Sequence, residues 1–282
     1  MARVVILSSL VCASRLGGLS QAMLLAQLGA APIFVPTVAF GRHPGLGPPG
    51  GGALSDLMFR GLIDGVAATG VLQQTRLVLT GYFASADQVA AAAEVIDACR
   101  AAQGERPIIL VDPILGDEGK GLYVKPETAE AVRRLLVPRA DLLVPNRWEL
   151  AWLAQTDSPG FADDLASLLS AARRLAPRTI VTSAWTHAGS TSLLDISQTQ
   201  ATRLHHASLP KAFSGAGDLF AALLCAGLLD GLSPPEDVSR AAAMTLDVLT
   251  DAYGSGVDDL ALPLQGRDLR RPSSEVEVEA LS

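Results

Sequence analysis

A glycine-rich turn carrying an acidic residue stands directly before an apolar helix late in the chain. The segment Phe213–Phe220 reads FSGAGDLF and leads into an alanine- and leucine-rich stretch. Gly215, Ala216 and Gly217 let the backbone turn tightly and aim N–H groups, with the positive end of the helix dipole, at one spot. Such a nest binds an anion, and Asp218 could accept a proton from an alcohol while the nest holds a transferring phosphoryl group. The pattern equally fits a turn in which Asp218 caps the helix.

Two further polar clusters follow apolar strands. Pro145–Glu149 reads PNRWE. Asn146 and Glu149 share one face of a helical turn, where their oxygen atoms suit magnesium directly or through water. The same pair is also typical of an asparagine cap with a glutamate that reaches back, a variant of the capping box. Asp112 ends the run PIILVD and could hold magnesium, although it also fits a turn that ends a strand.

The elements that position these residues alternate between apolar strands and helices, which predicts a mostly parallel α/β sheet covered by helices on both faces. Residues 184–209 alternate like an antiparallel hairpin region at the edge of that sheet. Because ligands bind beyond the carboxyl ends of parallel strands, the three clusters are expected at one edge, where together they indicate phosphoryl transfer. Strand patterns occur at Arg3–Ser9, Ala31–Phe40, Arg76–Thr80, Pro107–Asp112, Ala140–Val144 and Arg178–Ser183. Helical patterns occur at Leu19–Gly29, Leu54–Gln74, Ser85–Ala102, Gly215–Gly231 and Pro235–Ala252.

Composition narrows the class of protein. Of 282 residues, 49% are hydrophobic and 18% charged, and the net charge of −7 argues against a nucleic-acid partner. We expect one domain over 1–282, no membrane partner and a cytoplasmic location. The Gly and Pro content of residues 41–52 argues against a regular element there, so this stretch is either a mobile flap over the site or a linker. The polar tail 270–282 is expected to fray. Three distant cysteines, Cys12, Cys99 and Cys225, suggest no disulfide or zinc site and are expected to be buried.

The phosphate-binding motifs of other classes are missing from the sequence. It contains no GxxxxGK[ST] motif, and no GxGxxG follows the first strand. The order of the motifs that are present, over nearly the whole chain to about Ala252, resembles the pyridoxal kinases of the ribokinase superfamily. The segments that carry the resemblance are SSLVCASRLGG, PTVAFGRH, LTGYFASADQ, VDPILGDEGKG, ADLLVPNRWEL and SGAGDLFAALL.

The resemblance implies a ribokinase-like fold, magnesium-ATP, a homodimer and phosphorylation of pyridoxal at its 5′ hydroxyl. Asp218 matches the catalytic base and also a substrate-binding position, while Gly215, Ala216 and Gly217 match the anion hole. Substrate-binding positions match Ser9, His43 and Tyr82. ATP-binding positions match Asp112, Asn146, Glu149, Thr182 and Ser183, of which Asp112 and Glu149 match the magnesium-binding end.

The chain departs from the family pattern in the predicted ring pocket. Leu10 stands where His or Gln is usual, Ala13 where many members have Tyr, and Ala216 where the nest usually has Thr. The phosphate-binding motifs are intact, whereas the ring pocket is changed. A hydroxymethylpyrimidine or related heterocycle kinase is therefore an alternative, and a protein that binds pyridoxal without turning it over is a second.

Overall fold

The computed structural model describes residues 1–102, 104–155, 164–187, 189–256, 260 and 266–281. The strands are β1 (Arg3–Val11), β2 (Ala31–Phe40), β3 (Gly51–Ala53), β4 (Thr75–Thr80), β5 (Ile108–Val111), β6 (Gly116–Asp117), β7 (Gly121–Leu122), β8 (Leu142–Leu143), β9 (Arg178–His187), β10 (Ser190–Ser197), β11 (Ala201–Ala207) and β12 (Glu277–Leu281). The helices are α1 (Gly17–Gln27), α2 (Asp56–Ala68), α3 (Ala86–Ala101), α4 (Pro126–Ala131), α5 (Arg147–Leu153), α6 (Leu165–Leu175), α7 (Ala216–Leu229) and α8 (Glu236–Gly254).

Within the described residues, ten strands form one sheet in the order β12-β11-β10-β9-β8-β5-β4-β1-β2-β3, and β6 pairs with β7 separately. Neighbouring strands from β9 to β2 run parallel, while β10, β11 and β12 at one edge and β3 at the other are antiparallel. The mostly parallel sheet with an antiparallel edge agrees with the sequence expectation. Parallel pairing also brings the carboxyl ends of β1, β4, β5, β8 and β9 to one edge of the sheet.

Apolar side chains leave both faces of the central strands, as expected for a sheet buried on both sides. Residues such as Val4 and Ile6 of β1 pack under α1, α7 and α8, whereas Val5 and Leu7 face the layer that includes α3 and α4. A further cluster joins α5 and α6 to β9 and β10. Helix α7, with Leu219 to Gly227 buried, lies in the core and presents its first turn at the carboxyl edge of the sheet.

The expectation of a frayed tail at 270–282 is wrong for the described residues. Strand β12 pairs with β11 from Ala201↔Leu281 to His205↔Glu277. The tail is fixed before it reaches the sheet, because Asp247 of α8 accepts hydrogen bonds from Arg267, Ser273 and Ser274. Strand β12 therefore has backbone partners in β11, where the backbone of a frayed tail would bind water.

Two other expectations need correction. The stretch 41–52, expected to be irregular, contains a 3₁₀ turn at Pro44–Leu46 and contributes the first residues of β3, which pairs with β2. Cys12 is exposed, because it lies in the turn after β1, whereas Cys99 and Cys225 are buried as expected. No helix in the described part of the chain has the length and apolar character of a membrane span.

Candidate active site

The first turn of α7 depends on a glycine at its N-cap. Gly215 adopts φ +87°, and a Cβ atom there would lie 2.4 Å from Cδ2 of Leu16 and 3.0 Å from the carbonyl oxygen of Arg15. Any larger residue would therefore meet both backbone strain and a clash. Ala216 and Gly217 are the first two residues of α7, and the N–H groups of a first helical turn have no hydrogen-bond partner within the helix. A Cβ atom at Gly217 would meet no other atom within 4 Å.

Asp218 lies in that first turn, and its carboxylate does not cap α7. Its Oδ2 accepts a hydrogen bond from the N–H of Gly17, the first residue of α1, at 2.9 Å, and its Oδ1 lies 3.4 Å from Nε2 of Gln21. The carboxyl keeps some solvent access, but surrounding protein atoms bury it enough to raise its pKa to about 6, against the opposing effect of the Gly17 hydrogen bond. The expected alternative of a helix cap does not describe this geometry, because the side chain bonds to another helix.

Gly17 and Gln21 are site residues that the sequence did not reveal. Gly17 has φ +65°, and a Cβ atom there would lie 2.3 Å from Oγ of Ser9 and 2.5 Å from its carbonyl oxygen. Gly17 is thus pressed between Ser9 at the end of β1 and the carboxylate of Asp218. The Gly17–Gly18 pair before an apolar helix was the only sequence signal, and it gave no indication of a partner 201 residues away.

Asn146 and Glu149 form the capping box that the sequence left open as an alternative. Oδ1 of Asn146 accepts the N–H of Glu149 at 2.8 Å, and Oε2 of Glu149 accepts the N–H of Asn146 at 2.8 Å. The other carboxylate oxygen, Oε1, accepts the N–H groups of Leu115 at 2.8 Å and Gly116 at 3.4 Å, and Nδ2 of Asn146 donates to the carbonyl of Gly116. The pair therefore fastens the loop after β5 to the start of α5.

Asp112 and Glu149 are buried carboxyl groups, 8% and 4% exposed. Burial, the charge of Glu149 and the charge of Asp218 together raise the pKa of Asp112 well above its ordinary value. Burial raises the pKa of Glu149 to about 7, although the N–H groups of Asn146, Leu115 and Gly116 oppose this rise. Carboxylates that repel one another in a buried region are stabilised as ions by a nearby cation.

The donor set suits a magnesium ion whose coordination is completed from elsewhere. Among the described residues, no three or more His, Cys, Asp or Glu side chains are grouped so that they could hold a metal on their own. Magnesium usually keeps several waters and takes only one or two carboxylates together with phosphate oxygens. Asp112 and Glu149 fit that requirement in number and chemistry.

A cavity of about 320 Å³ opens beside this loop, between the start of α5 and the end of β9. Asn146 and Ser183 line it, together with Trp148 and Trp185. Ser183 has φ +49°, a strained conformation for serine, and such strain is often found at functional sites. Thr182 does not line the cavity but donates its N–H to the carbonyl of Pro145 at 2.9 Å, which joins β9 to the segment before α5.

The residues expected at the ring pocket lie around the ends of β1, β2 and β4. Tyr82 is half-buried, its carbonyl accepts Oγ1–H of Thr37 at 2.7 Å, and burial raises its pKa. His43 uses Nδ1 to accept the N–H of Gly45 and caps the 3₁₀ turn. Burial and the charge of Lys120 lower the pKa of His43.

Comparison with known proteins gives concordant results. A family model described as Phosphomethylpyrimidine kinase matches residues 71–262. The chain is 34% identical to a pyridoxine/pyridoxal/pyridoxamine kinase of Bordetella avium over 92% of this chain and 88% of that one. It is 32% identical to the pyridoxal kinase PdxY of Granulibacter bethesdensis over 95% and 96% of the two chains.

Solved structures resemble the fold over its whole length. A pyridoxal kinase from Leishmania donovani in complex with ADP and pyridoxamine has a TM-score of 0.88 and 25% identity, with all of both chains covered. A putative phosphomethylpyrimidine kinase from Bacteroides thetaiotaomicron has a TM-score of 0.84 and 24% identity, with 99% of this chain and 98% of that one covered. The second likeness concerns the fold alone.

Proposed function

Because the chain belongs to the pyridoxal kinase family of the ribokinase-like superfamily, we propose that its preferred reaction is transfer of the γ-phosphoryl group of ATP to the 5′-hydroxymethyl group of pyridoxal. The chain is an ATP-dependent kinase of B6 vitamers. The choice of pyridoxal among these vitamers, the roles of individual residues, magnesium, the homodimer and the cytoplasmic location are the proposed part.

The observation that carries the proposal is the position of Asp218 beside the N-terminus of α7. Its carboxylate is held by the N–H of Gly17, and the residue belongs to the same first turn of α7 as Ala216 and Gly217, directly after the N-cap Gly215. A carboxylate beside an anion nest has little use in binding an anion. It is well suited to receiving a proton while the nest stabilises negative charge on a phosphoryl group.

The proposed reaction uses these groups in one displacement. Asp218 accepts the proton of the vitamer hydroxyl as the hydroxyl oxygen forms a bond to the γ-phosphorus. The bond between that phosphorus and the β–γ bridging oxygen breaks, and ADP leaves with the bond's electron pair. The first-turn N–H groups of α7 donate to the oxygens of the transferring group, where charge spreads during transfer.

ATP is proposed to bind along the carboxyl edge near β5, β8 and β9. The binding residues are Asp112, Asn146, Glu149, Thr182 and Ser183, in support of which Asn146 and Ser183 line the neighbouring cavity. Asp112 and Glu149 would hold Mg²⁺, which when bound with ATP neutralises charge on the phosphate oxygens. Since both oxygens of Glu149 already accept backbone N–H groups, it would act through its remaining lone pairs or through water.

The vitamer ring is proposed to lie against Ser9, Tyr82 and His43. Tyr82 supports this assignment by its half-buried position after β4. Leu10 and Ala13 offer less polar and less aromatic contact than the family pattern, so we expect weak binding of pyridoxal and acceptance of more than one vitamer. The homodimer rests on the resemblance alone, and light scattering of the purified protein tests it. The cytoplasmic location rests on the composition of the sequence.

A hydroxymethylpyrimidine kinase is a second candidate. The observations that favour it are the family description, Phosphomethylpyrimidine kinase, and the altered residues Leu10 and Ala13. Both reactions use the same phosphate-binding residues and differ only in the ring that is bound.

A substrate panel separates the candidates. The purified protein is given magnesium-ATP with pyridoxal, pyridoxine, pyridoxamine or hydroxymethylpyrimidine, and ADP and the phosphorylated product are measured by coupled assay and mass spectrometry. We expect the highest kcat/KM with pyridoxal. Phosphorylation of the pyrimidine alone would select the second candidate, and tight pyridoxal binding without any product would overturn both.

A further inference from the structure

Two residues of α1 donate hydrogen bonds to the two oxygens of one carboxylate. Gly17 and Gln21 are four residues apart and therefore lie on the same face of the helix. The N–H of Gly17 reaches Oδ2 of Asp218 at 2.9 Å, and Nε2 of Gln21 lies 3.4 Å from Oδ1. We infer that Gln21 is a positioning residue, which together with Gly17 fixes the carboxylate of Asp218 for proton transfer from the substrate alcohol. This inference rests on the proposed role of Asp218 as the base.

The second observation concerns the other half of the Gln21 amide. Gln21 is 1% exposed, and its Oε1 is buried without a hydrogen-bond partner among the residues that the structure describes. A buried acceptor that lacks a partner destabilises the folded state, and an apolar side chain of equal length would avoid that cost. Stability therefore does not explain a glutamine at this place in α1.

The neighbouring residue shows how α1 satisfies a polar group that serves only structure. Ser20 is also buried, and its Oγ–H donates to the carbonyl of Leu16 in the preceding turn. The Nε2 group of Gln21 instead donates to a side chain of another helix, Asp218 of α7. The difference between these two adjacent residues indicates that Gln21 is placed with respect to Asp218.

An amide is suited to both protonation states of a carboxyl group. Its N–H donates to ionised Asp218, which is the form that must accept the proton. After a 180° rotation of the amide, Oε1 can accept a hydrogen bond from the protonated carboxyl. With Gly17 holding Oδ2, the carboxylate cannot rotate freely, so one lone pair remains directed at the substrate. The contribution of Gln21 should then fall on turnover and leave substrate binding nearly unchanged.

The first test is Gln21→Met, which keeps the length of the side chain and removes its hydrogen bonds. We expect kcat to fall about tenfold, as for loss of one hydrogen bond to a charged group. We expect the KM values for ATP and pyridoxal to stay within about twofold and the Tm to be unchanged or higher. Ser20→Ala is the matched control, and its kcat should equal that of the parent protein.

The second test is a double-mutant cycle with Asp218→Asn, measured by single-turnover kinetics. If Gln21 acts through Asp218, adding Gln21→Met to the Asp218→Asn protein causes no further loss of rate. Equal losses in both backgrounds would show a general structural role and overturn the inference. Wild-type kcat in Gln21→Met, beside a strongly impaired Asp218→Asn protein, would overturn the inference and leave the proposed function standing.

Two outcomes remain to be distinguished. If Asp218→Asn itself retains most of its activity, the base assignment fails and the inference fails with it. If Gln21→Met does not fold, Gln21→Asn replaces it, since this variant keeps a buried amide that is one methylene too short to reach Asp218. A folded Gln21→Asn protein with wild-type kcat would again overturn the inference.

Discussion

At the scale of single residues, Asp218 has two opposing influences on its charge. Burial raises its pKa to about 6, and the N–H of Gly17 acts in the other direction. A base with a pKa near the working pH is both ionised and able to hold a proton, which is the compromise that general-base catalysis requires. The charge of Asp218 contributes to the raised pKa of its acidic neighbour Asp112.

The first prediction concerns pH. We expect kcat/KM for pyridoxal to rise with pH through a midpoint near 6 and to level off above it, because Asp218 accepts a proton only when it is ionised. Initial rates between pH 4.5 and 8 at saturating magnesium-ATP measure this. A rate that does not change between pH 5 and 7 would contradict the assignment.

The second prediction is that Asp218→Asn lowers the turnover and raises the Tm at pH 8. The turnover should fall by about 10²–10⁴, with the KM for ATP changed little. Because the folded-state pKa of Asp218 is raised, its stabilising contribution is present below the ordinary pKa and lost as pH rises through about 6. Asparagine avoids that loss, so the Tm of the variant should exceed that of the parent at pH 8 and match it near pH 4. Thermal unfolding at both pH values checks this, and a lower Tm at pH 8 would show that the carboxylate is needed for the fold.

Sequence reasoning reached some residues of the site and missed others for a physical reason. Asp218, Asn146 and Glu149 lie in local patterns in which residue type and spacing indicate a nest or a helix start. Gly17 and Gln21 act through contacts across about 200 residues of chain, which no local pattern records. The sequence is compatible with either a capping box or a metal site at Glu149. The structure contains the capping box, and the Glu149 carboxylate still lies in the candidate site.

At the scale of elements, Glu149 at the start of α5 has two roles, one in the helix cap and one in the proposed metal site. Glu149 holds the N-terminus of its own helix and the loop after β5, while Asp112, at the end of β5, has no such part in a helix cap. Loss of the Glu149 carboxylate should therefore affect both stability and magnesium binding, whereas loss of the Asp112 carboxylate should affect magnesium binding alone.

The third prediction uses this difference. Glu149→Gln should raise the KM for magnesium-ATP and lower the Tm by about 2–4 °C, because one of the two acceptor oxygens becomes an NH₂ group. That group cannot accept either the N–H of Asn146 or, in the other amide orientation, the N–H groups of Leu115 and Gly116. Asp112→Asn should raise the magnesium requirement without lowering the Tm, since it removes a buried, repelled charge. Magnesium titrations and thermal unfolding of both variants decide the matter. If Glu149→Gln lowers only the Tm, Glu149 is a helix cap and has no metal role.

The predicted elements differ from the observed ones where tertiary contacts decide. The strand expected at Ala31–Phe40 is β2 without change, because its apolar residues suit one kind of element only. The helix expected at Leu54–Gln74 ends at Ala68 and is followed by Gly70 with φ +73°, a conformation that glycine adopts without strain. The sequence predicts a frayed tail because the segment EVEAL at Glu277–Leu281 reveals neither its partner strand β11 nor the anchor at Asp247.

At the scale of the whole molecule, Asp247 fixes the position of the last strand. It is buried in α8, and although burial opposes ionisation, hydrogen bonds from Ser273 and Ser274 hold its pKa below the ordinary value. The stabilisation is therefore present above the ordinary pKa and lost as pH falls through the lowered value. Strand β12 in turn supplies partners for the backbone of β11, which would otherwise be the exposed edge of the sheet.

The fourth prediction is that Asp247→Asn releases this edge without affecting the active site. Amide hydrogens of residues 277–281 should exchange at least tenfold faster at pH 7, because the anchor of the tail is weakened, while kcat stays unchanged. Asp251→Asn is the matched control, since Asp251 pairs with the same Arg267 but is exposed and does not contact the serines. Hydrogen exchange followed by mass spectrometry measures both variants. Equal protection of 277–281 in the parent and Asp247→Asn would show that strand pairing alone holds the tail.

The hydrogen bond between Gly17 and Asp218 joins two residues that the ribosome adds at very different times. At a synthesis rate of about 5–20 residues per second, the 201 residues between them take roughly 10–40 s to emerge. A nascent chain without α7 lacks Asp218, the proposed base, so we expect an unfinished chain not to consume ATP. In refolding, closure of so long a loop is slow compared with local packing. We therefore expect the fluorescence of the three tryptophans, Trp148, Trp152 and Trp185, to recover before kinase turnover in a stopped-flow experiment, and simultaneous recovery would contradict this order. Catalytic competence is then the last property that the chain acquires.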